Sequence, residues 1–258
     1  MNIFYFPILK TVARSFYLTI CLLPKKLQEP IALAYLLARA SDTLADRDLP
    51  SYTRADDDLI RLIPSLFKEF NHPSRDPLEK DAIHLVWQRI LEGQECDLQK
   101  FSSQSSPVIL SREELSRYLY LVAGCVGEFW TTLAAHHLPC FARAPLPSMR
   151  EWGIDYGKGL QLTNILRDRH EDAAHGRFYC HEDHVEQLHE EALYYLSQGR
   201  CYIDGLRPGR FKMASALPLM LAVKTLSLLA KNPQASNVKV SRGMVYLSLL
   251  RSSIFLFR

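Results

Sequence analysis

Four oxygen-bearing side chains, Gln161, Asn164, Asp168 and Asp172, recur at spacings of 3, 4 and 4 within YGKGLQLTNILRDRHEDAAHGRFY, the stretch from Tyr156 to Tyr179. Those spacings return to one side of an α-helix at every turn, so the four line a single stripe. Leu162, Ile165 and Leu166 can pack beside it, and the basic Arg167 and Arg177 stand close by. A row of oxygen donors in that setting is suited to holding hard cations such as Mg²⁺ against a phosphorylated ligand. A carboxylate row on one helix is half of a clamp, and the other half should lie elsewhere in the chain.

A second pair stands near the N-terminus. In Arg39-Ala-Ser-Asp42-Thr-Leu-Ala-Asp46 the two acids are again four residues apart, with Arg39 one turn before the first. The preceding run, PIALAYLLARA from Pro30 to Ala40, is apolar and helical in character. Carboxylates in such a helix are costly unless their charge is compensated. Bound Mg²⁺ would compensate it, and so would solvent at the helix end. One DxxxD is a weak signal; two, each with Arg and amide companions, are a much stronger one.

With these residues in view, the chain resembles the squalene/phytoene synthase family of head-to-head prenyl transferases. Its two aspartate-rich motifs match DTLAD (Asp42 to Asp46) and QLTNILRDRHED (Gln161 to Asp172), followed by Gly176, Arg177, Phe178 and Tyr179. Further matches are ARSFYL from Ala13, LEGQECDL from Leu91, VAGCVG from Val122, ALPLMLA from Ala216 and KVSRG from Lys239, in family order over nearly the whole chain. The resemblance implies an all-α isoprenoid-synthase fold. It implies Mg²⁺ held by Asp42, Asp46, Asn164, Asp168 and Asp172, with Asp42 and Asp168 essential to catalysis. It also implies prenyl diphosphate binding by Arg14, Ser15, Phe16, Arg39, Gln161, Asn164 and Arg177. Lys239-Val-Ser-Arg242 resembles the reductant-binding element of squalene synthases. Ser241 stands where that element carries a basic residue, so the match supports NADPH binding by Lys239 and Arg242 only in part. Eukaryotic squalene synthases place a Tyr directly before VAG. Here that residue is Leu121, and Tyr120 lies one earlier, closer to the bacterial dehydrosqualene and phytoene synthase pattern.

The elements that must position these residues read as helices throughout. The chain has 258 residues, 48% of them apolar, enough for one substantial core, and is read as a single domain over residues 1–258. Period-2 alternation is almost absent, which predicts eight to eleven helices around a central cavity. The expected helices run from Lys10 to Leu23, Gln28 to Asp46, Tyr52 to Phe70, Leu78 to Phe101, Ser111 to Leu133, Met149 to Asp172, Val185 to Leu206, Lys212 to Ala230 and Val238 to Phe257. Ser111 with Glu114 forms a capping box. Asp56-Asp57-Asp58 opens a helix, where acids favour the macrodipole, and is read as structural. Pro218 should kink its helix. Tyr120 is the candidate for proton handling: a phenol near diphosphate can donate a hydrogen bond or relay a proton, or it can simply pack as an aromatic. Leu22, Leu36, Val126 and Leu219 are candidates for the cavity floor.

Net charge is +3, too mild for a nucleic-acid binder. Six cysteines are scattered without ligand-like spacing, in apolar contexts that suggest buried, reduced thiols and a cytoplasmic protein. No run approaches the roughly 20 apolar residues of a membrane span. MVYLSLLRSSIFLFR, from Met244, is read as a closing core helix, and peripheral membrane contact is compatible with a long-chain isoprenoid product. The reaction expected is 1-1′ condensation of two farnesyl diphosphates to presqualene diphosphate and then squalene or dehydrosqualene. Alternatives are phytoene formation from geranylgeranyl diphosphate, a cyclising terpene synthase, a polyprenyl-binding protein and a non-catalytic scaffold relative.

Overall fold

The computed structural model describes residues 5–45, 53–101, 109–232, 238 and 240–257; of Arg14, Ser15 and Arg242 it describes the backbone alone. Asp46 and Lys239 therefore lie outside the described residues, as do the side chains of Arg14, Ser15 and Arg242. The described residues form eleven α-helices: α1 (Tyr5–Val12), α2 (Arg14–Leu22), α3 (Lys25–Ala45), α4 (Arg54–Phe70), α5 (Pro77–Phe101), α6 (Arg112–Leu119), α7 (Cys125–His137), α8 (Leu146–Ala174), α9 (Val185–Gly205), α10 (Arg210–Lys231) and α11 (Arg242–Ser252). Among the described residues no strand forms, only isolated bridges at Ile109–Phe178 and Ala142–Leu206. The all-α expectation holds.

Local chemistry sets several helix starts. Ser111 Oγ accepts from the Glu114 backbone N–H at 3.2 Å while the Glu114 carboxylate accepts from the Ser111 N–H at 2.8 Å, the reciprocal box expected there. Thr53 and Asp56 make a second box, with Thr53 N and Oγ1 donating to Asp56 Oδ2 at 2.8 and 2.6 Å. The structural reading of the Asp56 to Asp58 run is thus correct for Asp56, which is buried.

Two expected helices are broken. The first divides at Ala13, between α1 and α2, and the Val12 carbonyl beside the break accepts from Tyr35 Oη at 3.1 Å. The second is interrupted by a π-helical turn, Tyr120–Gly124, between α6 and α7. That turn and α7 lie against α8 with backbones nearly touching. A Cβ on Gly127 would fall 1.8 Å from the Gly153 carbonyl oxygen, and one on Gly157 2.2 Å from that of Ala123. Single extra-residue turns of this kind re-aim side chains within a helix and often occur at functional sites.

α8 is the centre of the molecule, packed by α7, α9 and α10 and by the π turn. Its buried Leu162, Ile165 and Leu166 join a continuous core with Leu33, Leu36 and Leu37 of α3 and Leu226 of α10. α10 continues through Pro218 from Arg210 to Lys231. Tyr156 Oη donates to the Ser215 carbonyl at 2.9 Å, next to the turn where Pro218 has no N–H to give. Contrary to the expectation of no span-like run, α10 is long and apolar enough to cross a membrane. Half of its most apolar window is buried inside the fold, as in a core helix. The reading of the last helix as core is corrected: Ser252 is the single buried residue among the described residues of α11. The thiol reading is corrected as well. Only Cys125 is buried, while Cys140 and Cys201 are exposed, because they lie on a turn and on the outer face of α9.

Candidate active site

Two cavities share a wall and differ in character. The larger encloses about 620 Å³ and is bounded mainly by apolar side chains, among them Phe16, Tyr35, Val126, Trp130, Leu160 and Pro218. The smaller, about 370 Å³, is lined by Asp97, Tyr118, Arg167, Asp168, Asp172, Arg177 and Tyr179. Asp42, Ile90, Gln94, Val122, Gln161 and Asn164 border both. α8 spans the pair, with Gly153, Tyr156 and Leu160 on the apolar chamber and Asp168 and Asp172 on the polar one. A helix rising about 1.5 Å per residue is long enough to line both. α3 faces it with Ala38, Arg39 and Asp42, and α5 with Ile90, Gln94 and Asp97.

The sequence-derived stripe is therefore brought together: Gln161, Asn164, Asp168 and Asp172 all face the polar chamber, and Asp42 faces them from α3. Asn164 Nδ2 donates to Gln161 Oε1 at 3.5 Å. Each acidic position has a basic neighbour. Arg39 holds Asp42 and also reaches Asp56 Oδ1 at 3.2 Å. Arg167 grips Asp168 with two donors, the Nε bond being 2.7 Å. Arg177 Nη1 lies 3.9 Å from Asp97 Oδ2. Phe16, on α2, lines the apolar chamber with its ring 5.3 Å from that of Tyr35 and 6.2 Å from that of Trp130.

Tyr120 is the exception. Its hydroxyl donates to Glu128 Oε2 at 3.1 Å, and the ring borders a minor recess with Arg89, Cys125 and Phe129, apart from both chambers. Two residues of helix turn a side chain by about 200°. Tyr118, two positions earlier, therefore faces inward. Tyr118 Oη donates to Tyr179 Oη at 3.4 Å, and Tyr179 Oη donates to Asp97 at 3.0 Å. The sequence reading does not anticipate this Tyr118–Tyr179–Asp97 chain, although Ile90, Gln94 and Asp97 carry a signal: spacings of 4 and 3, one helical face. The expected floor residues also divide. Val126 lines the cavity, whereas Leu22, Leu36 and Leu219 pack in the surrounding core.

Burial and like charge shape the electrostatics of the polar chamber. Burial, then the neighbouring Asp168 carboxylate, pushes Asp172 up to about 6; Arg177 only partly offsets this, and Asp97 adds to the rise. Burial raises Tyr118 and Tyr179 well above the ordinary phenol value, with Asp97 adding to both, so they remain protonated donors at neutral pH. The donors of Asp42, Asn164, Asp168 and Asp172 are all oxygen, which fits Mg²⁺ better than the softer metals. Among the described residues no three acidic, histidine or cysteine side chains are already gathered as a metal cage. The described residues of α11 contribute nothing to either chamber. Ser241, the departure from the reductant-binding pattern, is the N-cap of α11 and accepts from Met244 N at 3.3 Å.

The squalene/phytoene synthase family model matches residues 9–187. Among curated proteins, the chain is 28% identical to phytoene synthase 1, chloroplastic, of Zea mays, over 68% of this chain and 43% of that one. It is 26% identical to squalene synthase ERG9 of Gibberella zeae, over 92% of this chain and 61% of that one. It thus spans roughly two to three fifths of the length of these curated relatives. Among solved structures, TcSQS in complex with the ligand BPH1237 superimposes with a TM-score of 0.80 at 22% identity, over 97% of this chain and 85% of that one, which establishes a shared fold.

Proposed function

The chain belongs to the squalene/phytoene synthase family, and from that premise we propose that it joins two prenyl diphosphates head to head. The substrate we assign is farnesyl diphosphate, converted through presqualene diphosphate to squalene or dehydrosqualene. One observation carries the reading: a polar chamber of carboxylates and guanidinium groups shares a wall of six residues with an apolar cavity. A diphosphate head and a prenyl tail need that pairing.

Arg167 and Arg177 in the polar chamber, with Arg39 on the wall of the apolar one, offer planar donor forks that match diphosphate oxygens. Asp42, Asn164, Asp168 and Asp172 would hold Mg²⁺, which when bound supplies charge neutralisation to the departing diphosphate. Phe16, Val126, Trp130 and Leu160 keep water from the allylic cation that ionisation leaves. Tyr118, rather than Tyr120, handles the proton. As a substrate carbon loses its proton to Tyr118 Oη, the Tyr118 proton passes to Tyr179 and that of Tyr179 to Asp97. The carbon loses one proton and Asp97 gains one. Dehydrosqualene forms from the final cation by loss of a proton alone, whereas squalene would need a hydride, which NADPH would supply if bound.

Phytoene formation from geranylgeranyl diphosphate is the second reading, favoured by the similarity to a phytoene synthase. The two are separated by incubating the protein with either diphosphate and Mg²⁺, with and without NADPH, and identifying the hydrocarbon by mass spectrometry. A C30 hydrocarbon from farnesyl diphosphate supports the first reading and a C40 product alone the second. Squalene formed only with NADPH would make Lys239 and Arg242 the residues to substitute next. Failure to release pyrophosphate from either substrate would refute both.

A further inference from the structure

Asp56 does more than cap α4. Its side chain is 8% exposed, and both of its carboxylate oxygens are engaged. Oδ2 accepts from the Thr53 backbone N–H and hydroxyl, within its own helix start. That fixes the rotation of the carboxylate and aims Oδ1 across at α3. There Oδ1 accepts from Arg39 Nη2 at 3.2 Å and from Thr43 Oγ1 at 3.5 Å. Burial opposes the charge of Asp56, yet the Thr53 hydrogen bonds and Arg39 outweigh it, and the group stays ionised.

Arg39 thereby bridges two carboxylates of unlike character. Nη2 holds the buried Asp56, which lines neither chamber, and Nη1 holds Asp42, which lines both. The α3 backbone around Arg39 is clasped from α5. Gln94 Nε2 donates to the Ala38 carbonyl at 3.5 Å, and Trp87 Nε1 donates to Ser41 Oγ at 3.0 Å. With the helix held, the placing of the Arg39 guanidinium rests on its carboxylate partners. Deprived of Asp56, its planar fork would close on both oxygens of Asp42, the favoured geometry for such a pair.

We propose that Asp56 is a positioning residue for the diphosphate site. It draws one arm of Arg39 aside, so that Arg39 does not close fully on Asp42. Asp42 can then yield to Mg²⁺, and Arg39 turns its remaining donors to the diphosphate while Asp56 keeps it anchored. This inference rests on the function proposed above, in which Asp42 holds the cation and Arg39 the diphosphate.

The test is calorimetric titration of the full chain with inorganic pyrophosphate in excess Mg²⁺. Asp56→Ala should weaken binding about tenfold, and the milder Asp56→Asn at least about threefold. Raising Mg²⁺ should recover most of either loss, because Arg39 and the cation compete for Asp42. Thr53→Ala is the control. It removes the cap hydroxyl and lowers thermal stability as the Asp56 variants do. The Thr53 backbone N–H still holds Oδ2, however, so Oδ1 stays aimed at Arg39 and binding should match the parent. In an Arg39→Gln background, Asp56→Asn should weaken binding no further. Four results would overturn the inference while leaving the diphosphate site standing: parental binding by the Asp56 variants, a loss that Mg²⁺ does not recover, an equal loss in Thr53→Ala, or an additional loss on top of Arg39→Gln. Absence of binding by the parent would refute the site and the inference together.

Discussion

Tyr118 and Tyr120 stand two residues apart and meet opposite surroundings, one in the polar chamber and one against Glu128 outside it. Turnover should separate them. Tyr118→Phe removes the hydroxyl that begins the proton chain and should lower kcat by about 10² or more. Tyr120→Phe should remain within a few-fold of the parent; steady-state pyrophosphate release measures both. Asp172 is the other informative residue. With its carboxyl raised to about 6 from 3.8 in the metal-free fold, the folded state binds this proton more tightly than the unfolded chain does. The stabilisation is fully present below about pH 3.8 and is lost as pH rises through about 6. Urea unfolding of the metal-free protein across that window should show the loss, and Asp172→Asn should flatten it. Both residues show how far the sequence can be read. The Asp172 stripe is legible because 3.6-residue periodicity alone places it. The choice between Tyr118 and Tyr120 is not, because family spacing around VAG does not reveal which face of the helix meets the cavity.

At the level of elements, α3 and α4 are tied by Asp56. Burial alone would raise its carboxyl, but hydrogen bonds from the Thr53 hydroxyl and backbone N–H and the charge of Arg39 together hold it below the ordinary carboxylate value. Its stabilising contribution is present above pH 3.8 and lost as pH falls through the lower folded value. Asp56→Ala removes a cap and an ion pair together and should cost about 1–3 kcal/mol in denaturant unfolding. It should also free Arg39, which already grips Asp42. The contact between α8 and the π turn is more demanding. Gly157→Ala would place a methyl group 2.2 Å from the Ala123 carbonyl oxygen and should destabilise by about 1–3 kcal/mol, because two backbones would have to part. The capping boxes are readable from four-residue patterns. The break at Ala13 and the π turn are not, since each depends on tertiary partners, Tyr35 for the first and α8 for the second.

Taken as a whole, the molecule separates a charged chamber from an apolar one along the single axis of α8. The all-α architecture follows from the absence of strand periodicity together with the family resemblance. The cavity wall does not follow, because Trp130, Tyr202 and Ser215 are brought to it from distant parts of the chain. Nor does the outward face of α11, since composition alone does not distinguish a core helix from an exposed one. Narrowing the apolar chamber with Val126→Phe should reduce kcat/KM for geranylgeranyl diphosphate at least about tenfold more than for farnesyl diphosphate. The most direct test of the proposed chemistry is pyrophosphate release from farnesyl diphosphate with Mg²⁺, in the parent chain and in Asp168→Asn. The parent should release two pyrophosphates for each C30 product, and Asp168→Asn should lose about 10³ or more in rate while keeping its fold. No release by the parent, or equal release by both, would contradict condensation at this site.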